Sequence, residues 1–130
     1  MIILAMRSDK PQAELYLYDG SKKLSEIKWQ AHLKLAETLN FKIEEMLGES
    51  KLAYEDLNGL AIFKGPGSFT GLRIGMSVAN ALAYGLNIPV IAKGGEGWLE
   101  ESIADLSSGK FDKMAVPEYG APARTTKPRK

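Results

Sequence analysis

Residues 64–75 read Lys64-Gly65-Pro66-Gly67-Ser68-Phe69-Thr70-Gly71-Leu72-Arg73-Ile74-Gly75. The run before them, Leu60-Ala61-Ile62-Phe63, is apolar and has the length of a short buried strand. The residues from Leu72 to Leu86 carry a single charge, on Arg73, and have the composition of a buried helix. This stretch therefore predicts a strand, a glycine-rich turn and a helix, in that order.

A glycine-rich turn of this kind can bind a phosphate, because the first N–H groups of the helix point at the turn. Neither standard phosphate motif is present: a Walker loop needs Lys where Leu72 stands, and a dinucleotide fingerprint needs Gly where Thr70 stands. Two interpretations stay open. One is a tight turn in which Thr70 or Ser68 caps the helix. The other is a phosphate or nucleotide contact through Gly65, Gly67, Ser68, Thr70 and Arg73.

The predicted helix carries small residues at every fourth position, namely Gly71, Gly75, Ala79 and Ala83. Residues four apart lie on one face of a helix, so these four form a ridge of small side chains. A glycine inside a helix costs about 1 kcal/mol relative to alanine, and the close approach of another element would offset this cost. We expect one side of the helix to cover the sheet and the ridge to contact a partner. On this interpretation, Gly75→Leu should leave the domain folded and abolish its pairing with that partner.

The remaining segments alternate between strand and helix patterns. Antiparallel strands joined by tight turns are predicted at residues 1–6, 13–18 and 23–29. A helix over 33–48 has an apolar stripe of Leu35, Ala36, Leu39, Ile43, Met46 and Leu47, and Gly48 is placed to end it. A strand at 87–92 should lie parallel to 60–63, because a helix connects them. A last helix is predicted over 98–106.

Composition and length predict one lobe over residues 1–108, followed by a basic, proline-containing tail over 109–130 that we expect to be flexible. The formal net charge of the 130 residues is +1, which does not favour direct binding to nucleic acid or to an anionic membrane. The absence of cysteine excludes disulfides and thiol catalysis. No secretory signal is predicted, and Asn80, Asn87 and Pro89 interrupt the uncharged run 74–92, so we expect a cytoplasmic location.

Residues 65–75 resemble the signature of the TsaB (YeaZ) family, bacterial proteins needed to make threonylcarbamoyladenosine in tRNA. The resemblance covers residues 1–106 and implies a ribonuclease-H-like, actin-like ATPase-type lobe with a mixed sheet and helices packed on it. The family usually has Asp-Thr-Ser at the end of the first strand, where this chain has Met6-Arg7-Ser8. That difference argues against metal-dependent hydrolysis, although Asp9 lies nearby. The ending from Val116 onward resembles the family's C-terminus and indicates a shortened form that lacks most of the second lobe.

The family resemblance implies a non-catalytic scaffold that pairs with and stabilises the TsaD-type threonylcarbamoyltransferase, works with the TsaE-type ATPase and contacts tRNA only indirectly. No catalytic residue, metal or cofactor is expected in this chain, with ATP or ADP at the partner interface left open. A homodimer through the same surface is the competing assembly, and a nucleotide-binding enzyme using the loop from Gly65 to Gly71 is the competing function. The predicted interface consists of His32, Leu35, Leu39, Ile43, Gly71, Leu72, Gly75, Met76, Ala79, Leu82 and Ala83.

The single histidine, His32, stands at the head of the helix over 33–48. A histidine can act as a general acid or base, but it needs a partner group in a suitable position. The chain has no thiol, and no Ser-His-Asp arrangement is visible in the sequence. We therefore interpret His32 as a helix-start or interface residue.

Overall fold

The structure, a computed structural model, describes residues 1–67 and 69–116, and for Phe69 the backbone alone. A five-stranded mixed sheet has the order β3-β2-β1-β4-β5. Its strands are β1 (Ile2–Arg7), β2 (Gln12–Asp19), β3 (Lys22–Gln30), β4 (Gly59–Phe63) and β5 (Val90–Lys93). The first three pair antiparallel, whereas β1 with β4 and β4 with β5 are parallel. The predicted antiparallel start and the predicted parallel pair are both confirmed.

Helices cover both faces of this sheet. Within the described residues these are α1 (Leu35–Glu49), α2 (Phe69–Leu86) and α3 (Trp98–Ser107). The apolar sides of α1 and α2 share one core cluster with β2 residues such as Leu15 and Leu17, so both helices lie on the same face. Trp98 and Ile103 of α3 belong to a second cluster with Phe63, on the opposite face. No helix among the described residues is long and apolar enough to cross a membrane.

The central strands are buried on both faces, which explains their uninterrupted apolar sequences. Successive side chains of a strand point to opposite faces. In β1, Leu4 and Met6 therefore enter the core beneath α1 and α2, whereas Ile3 and Ala5 enter the core beneath α3. All five residues of β4 are buried.

The predicted helix ends need correction at two places. α1 continues through Gly48 to Glu49, and the residue in the left-handed conformation is Lys51, with φ of 59°. The N–H of Leu52 then donates to the carbonyl oxygen of Leu47, 2.8 Å away, so a residue other than glycine closes this helix. α2 begins at Phe69, which makes Thr70 part of its first turn rather than its N-cap. Ser68, the other predicted cap, lies outside the described residues.

The segment that follows α3 lies along the outer edge of β5. The N–H of Asp112 donates to the carbonyl oxygen of Val90 over 2.8 Å, and the N–H of Ala92 donates to Oδ2 of Asp112 over 2.7 Å. The Asn80 amide then donates to the carbonyl oxygen of Ala115 over 3.0 Å and accepts from its N–H over 2.9 Å. This first part of the predicted tail is therefore held against the lobe. Residues 117–130 lie outside the described part of the chain.

Asn80→Ala is expected to release this segment, because Ala115 is only 3% exposed and would lose both partners of its backbone. We expect the free energy of unfolding to fall by about 1–3 kcal/mol. Hydrogen exchange at the Ala115 amide should accelerate at the same time.

The matched control for this prediction is Asn40→Ala, at an exposed position of α1. It repeats the same gain in helix propensity, so the difference between the two variants reports the lost hydrogen bonds. Equal protection of the Ala115 amide in both variants would contradict the prediction.

Candidate functional site

The glycine-rich loop lies at the edge of the sheet where the parallel strands end. β1, β4 and β5 run in the same direction, so their carboxyl ends meet at one edge, which is the usual ligand-binding edge of such sheets. A Cβ atom on Gly67 would lie 2.4 Å from Cβ of Asp9. A Cβ atom on Gly94 would lie 2.5 Å from the carbonyl oxygen of Gly65. The loops that follow β1, β4 and β5 therefore approach each other so closely that both positions require glycine.

A charged pair closes this edge. Nε of Arg7 donates to Oδ1 of Asp9 over 2.7 Å and Nη2 donates to Oδ2 over 3.2 Å, which is the bidentate geometry of a strong pair. The guanidinium also lies 3.9 Å above the centroid of the Phe63 ring. The hydrogen bond to Asp9 raises the pKa of Arg7 above its ordinary value. The Asp9 carboxylate is thus neutralised by the chain's own arginine.

Metal ligands do not cluster here. Within residues 1–67 and 69–116, no group of three or more acidic or histidine side chains is placed to hold a metal ion. Asp9 is the acidic residue that lies nearest in sequence to the position of the family's first-strand aspartate. Both of its carboxylate oxygens accept hydrogen bonds from Arg7.

The ridge of small residues on α2 faces the sheet, which corrects the sequence interpretation. A Cβ atom on Gly75 would lie 2.2 Å from Oγ of Ser8 and 3.1 Å from Cδ1 of Ile62. Oγ of Ser8 also donates to the carbonyl oxygen of Gly71 over 2.8 Å, which anchors the first turn of α2 to the end of β1. Ala79 and Ala83 are likewise buried. The partner of the ridge is the lobe's own sheet, so the expectation that Gly75→Leu leaves the lobe folded is wrong.

The outer sides of the two helices form a groove, which we call the α1–α2 groove. Its first part has a volume of about 370 Å³ and is lined by Ala36, Thr70, Arg73, Ile74, Ser77 and Val78. Its second part has a volume of about 350 Å³ and is lined by Ser8, Lys10, Pro11, His32, Leu33, Leu35, Thr70, Gly71 and Ile74. The two parts share Thr70 and Ile74, so they adjoin. The groove contains residues of both α1 and α2.

Comparison with known proteins gives consistent matches over this region. Residues 29–92 match the family model described as TsaD, tRNA N6-adenosine threonylcarbamoyltransferase. The tRNA threonylcarbamoyladenosine biosynthesis protein TsaB of Haemophilus influenzae is 40% identical over 76 residues, which are 58% of this chain and 31% of that protein. The tRNA N6-adenosine threonylcarbamoyltransferase of Geotalea daltonii is 46% identical over 61 residues, 47% of this chain and 18% of that protein.

A solved structure gives a further match. YeaZ from Pseudomonas aeruginosa matches with a TM-score of 0.69 and 26% sequence identity, over 83% of this chain and 50% of that chain. The predicted resemblance to the TsaB (YeaZ) family is confirmed. The ribonuclease-H-like, actin-like ATPase-type fold predicted from the signature is confirmed with it. The chain aligns with 31% of the length of the H. influenzae protein and with half of the solved YeaZ chain.

The predicted interface residues of this chain occupy three kinds of position. Most of them lie in the lobe's own core, where they support the two helices from beneath: Leu35, Leu39, Ile43, Leu72, Gly75, Met76, Ala79 and Ala83. Gly71 and Leu82 are half-buried, and His32 is exposed. These buried side chains expose little or no surface, so a direct contact with any partner would depend mainly on the exposed and half-buried residues around them.

Sequence reasoning missed the most exposed apolar side chains of these helices and their flanks. Leu33 is 87% exposed, Phe41 is 74% exposed and Tyr84 is 91% exposed. None of the three belongs to the apolar stripe of α1 or α2. An apolar residue off the stripe of an amphipathic helix is expected to face solvent, so the sequence pattern could have identified them.

The candidate phosphate contacts are divided between two places. Gly65 and Gly67 lie against Gly94 and Asp9 at the sheet edge. Thr70 and Arg73 instead line the α1–α2 groove. Ser68, the fifth candidate, lies outside the described residues. Of the four described candidates, Thr70 and Arg73 line this groove.

Proposed function

We propose that this TsaB-family chain is a non-catalytic scaffold subunit of the machinery that makes threonylcarbamoyladenosine in tRNA. In this role it pairs with, and stabilises, a TsaD-type threonylcarbamoyltransferase in the cytoplasm. The observation that carries the proposal is the α1–α2 groove, which has most of its lining residues in the region matched by the family model and is bordered by exposed apolar side chains. The TsaE-type ATPase would join this assembly, and tRNA would be contacted through the enzyme.

The physical support for this proposal is apolar surface that remains exposed to water along the groove. Ile74 and Val78 pack against the core on one side and line the groove on the other, so each keeps part of its surface in water. Leu33 borders the same groove and is 87% exposed. Contiguous apolar surface rimmed by polar groups is typical of a protein contact. Packing of a partner helix against α1 and α2 would bury this surface.

The competing function, a nucleotide-binding enzyme that uses the loop from Gly65 to Gly71, has less support. Its candidate contacts are split between the sheet edge and the groove. The acidic group at the sheet edge is paired with Arg7. A nucleotide held between this chain and its partner, near Thr70 and Arg73, is compatible with the scaffold role.

Light scattering of the chain, alone and mixed with the TsaD-type protein of the same organism, tests the proposal. We expect a new one-to-one species at micromolar concentration. Ala36→Trp should weaken this association at least about 100-fold, because the indole fills the groove and the partner loses a central contact. Ala36 is exposed on α1, so the variant should fold normally, which its thermal unfolding would verify.

Glu45→Trp is the matched control. Glu45 is also exposed on α1 and stands nine residues after Ala36, so it lies on the opposite side of the helix at roughly 100° per residue. It should leave the association unchanged. If the wild-type chain does not associate with the TsaD-type protein at all, the scaffold role is wrong. If it forms a dimer alone that Ala36→Trp dissociates, the groove serves self-pairing instead.

A further inference from the structure

We infer that the outer edge of β3 pairs with the same edge of a second copy of this chain, so that two five-stranded sheets join into one. This surface is separate from the α1–α2 groove, because no described residue of β3 lines the groove. The support comes from the open edge, the direction of its backbone groups and the charge pattern along the strand.

β3 is an open edge of the sheet. The strand order is β3-β2-β1-β4-β5, and among the described residues β3 pairs only with β2. The opposite edge, at β5, is partly covered by the segment that contains Asp112. Glu26, Lys28 and Gln30 of β3 are all exposed. A strand of nine residues with an uncovered edge is a template for pairing with another strand.

The hydrogen bonds of the hairpin identify which residues of β3 face outward. The N–H of Ala31 donates to the carbonyl oxygen of Pro11 over 2.9 Å, directly beyond the last pair of the ladder. Hydrogen-bonded and non-hydrogen-bonded pairs alternate along antiparallel strands, so residues 25, 27 and 29 direct their backbone groups at β2. The backbone N–H and C=O groups of Glu26, Lys28 and Gln30 therefore point to the open edge.

The charge pattern favours one register of twofold pairing. Residues with outward backbone groups must lie opposite each other, so the possible registers differ by steps of two residues. One register places Glu26 of each copy opposite Lys28 of the other, with Ile27 on the twofold axis. The two neighbouring registers place Glu26 opposite Glu26, or Lys28 opposite Lys28. Opposite charges directly across a strand pair are favourable and like charges are unfavourable.

These charges already interact within one copy. Nζ of Lys23 lies 2.6 Å from Oε1 of Glu26, and Nζ of Lys28 lies 3.3 Å from Oε2. The side chains of Glu26 and Lys28 are nevertheless 31% and 45% exposed, so each can be reached from the open side. Pairing adds a second neighbour to each charge and requires none of them to be unpaired in the single chain.

The other face of the strand contributes an apolar contact. Ile27 packs against the core beneath α1 and is half-buried. In the favoured register it lies opposite Ile27 of the second copy, at a non-hydrogen-bonded pair, where side chains approach most closely. A strand of another protein could use the same backbone groups. The twofold match of Glu26 with Lys28 is what favours a second copy.

The test is a charge exchange in the full chain, measured by sedimentation equilibrium at micromolar concentrations. Wild type is expected to dimerise. Glu26→Lys places two lysines opposite each other at both ends of the contact, and Lys28→Glu does the same with two glutamates. Each single variant should dimerise at least about 5-fold more weakly than wild type. The double variant Glu26→Lys/Lys28→Glu restores the opposite charges and should dimerise like wild type.

A mixture of the two single variants gives the decisive readout. In a mixed dimer, one copy carries two lysines at positions 26 and 28 and the other carries two glutamates, so every position meets an opposite charge. We expect the mixture to form a dimer with an affinity within about twofold of wild type, although neither variant pairs well with itself. A substitution that merely harmed the fold of the single chain could not give this result.

Glu100→Lys and Lys110→Glu are the matched controls. They make the same changes of net charge at exposed positions outside β3, and neither should alter dimerisation. The thermal unfolding of every variant is compared with wild type. If a single variant fails to fold, wild type and the double variant still test the register, because each should pair with itself and not with the other.

The outcomes separate β3 pairing from the proposed function. A wild-type chain that stays monomeric overturns the inference, as does a dimer that the charge variants leave unchanged. A dimer that Ala36→Trp alone dissociates lies at the groove and also overturns it. Binding to the TsaD-type protein is measured below the concentration at which wild type dimerises, and the β3 variants should bind it as wild type does. Loss of either association therefore leaves the other standing.

Discussion

Gly75→Leu is expected to lower the free energy of unfolding by about 3 kcal/mol or more, the upper range for forcing bulk into a packed site. A Cβ atom at this position would already lie 2.2 Å from Oγ of Ser8 and 3.1 Å from Cδ1 of Ile62, and a leucine adds three more carbon atoms beyond Cβ. α2 would have to move away from β1 and β4. Chemical denaturation of the purified variant measures the effect.

Gly85 provides the control on the same helix. A Cβ atom there meets nothing within 4 Å, so Gly85→Ala should raise the free energy of unfolding by up to about 1 kcal/mol through helix propensity. Gly75→Ala should lower it, and the penalty should shrink in a Ser8→Ala background, where the hydroxyl oxygen is absent. If Gly75→Ala stabilises the lobe as Gly85→Ala does, then α2 does not pack on Ser8 as described.

Arg7→Ala is expected to lower the free energy of unfolding by about 3–5 kcal/mol, because it leaves a carboxylate without its partner in a buried place. The Asp9 side chain is only 5% exposed, and both of its oxygens accept from Arg7. The substitution also removes the guanidinium from the Phe63 ring. Because Asp9 packs against Gly67, loss of the Arg7–Asp9 pair should also loosen the glycine-rich loop. Amide hydrogen exchange at residues 64–67 should then become faster.

A double-mutant cycle tests whether the pair itself causes this effect. Arg7→Met keeps much of the side-chain volume, and Asp9→Asn removes the buried charge. The double variant should be less destabilised than Arg7→Met alone, because no unpaired carboxylate remains. Additive effects of the two substitutions would show that Arg7 and Asp9 contribute independently and that the pair is not the support of the loop.

The first of these predictions concerns the support beneath the α1–α2 groove. Ser8 and Gly75 set the distance of α2 from the sheet, and Oγ of Ser8 holds its first turn. If the proposed pairing occurs, variants at these positions would weaken it by moving the helix. An exposed position such as Ala36 is therefore the appropriate place to test the pairing.

The sequence predicts most of the lobe. Continuous apolar runs predict β1 and β4 as buried strands, and the helical spacing from Leu35 to Leu47 predicts α1. The signature at residues 65–75 predicts the fold, since it resembles that of a known family. Helix ends were less predictable. Lys51 takes a left-handed conformation that local propensity assigns to glycine, because the bonds from its own N–H and that of Leu52 back to the last turn of α1 stabilise it.

The direction in which each surface faces follows from packing. Sequence spacing shows that Gly71, Gly75, Ala79 and Ala83 share one face of a helix, and that a close neighbour must lie against it. Whether that neighbour is the lobe or a partner depends on where α2 crosses the sheet, and the contact with Ser8 settles it. The pairing of Arg7 with Asp9, and the meeting of Lys10 with Thr70 in one groove, likewise depend on contacts between distant or turned segments. Periodicity in the sequence shows which residues share a face of a helix. Tertiary packing decides which surface lies against that face, because it depends on contacts between segments distant in sequence.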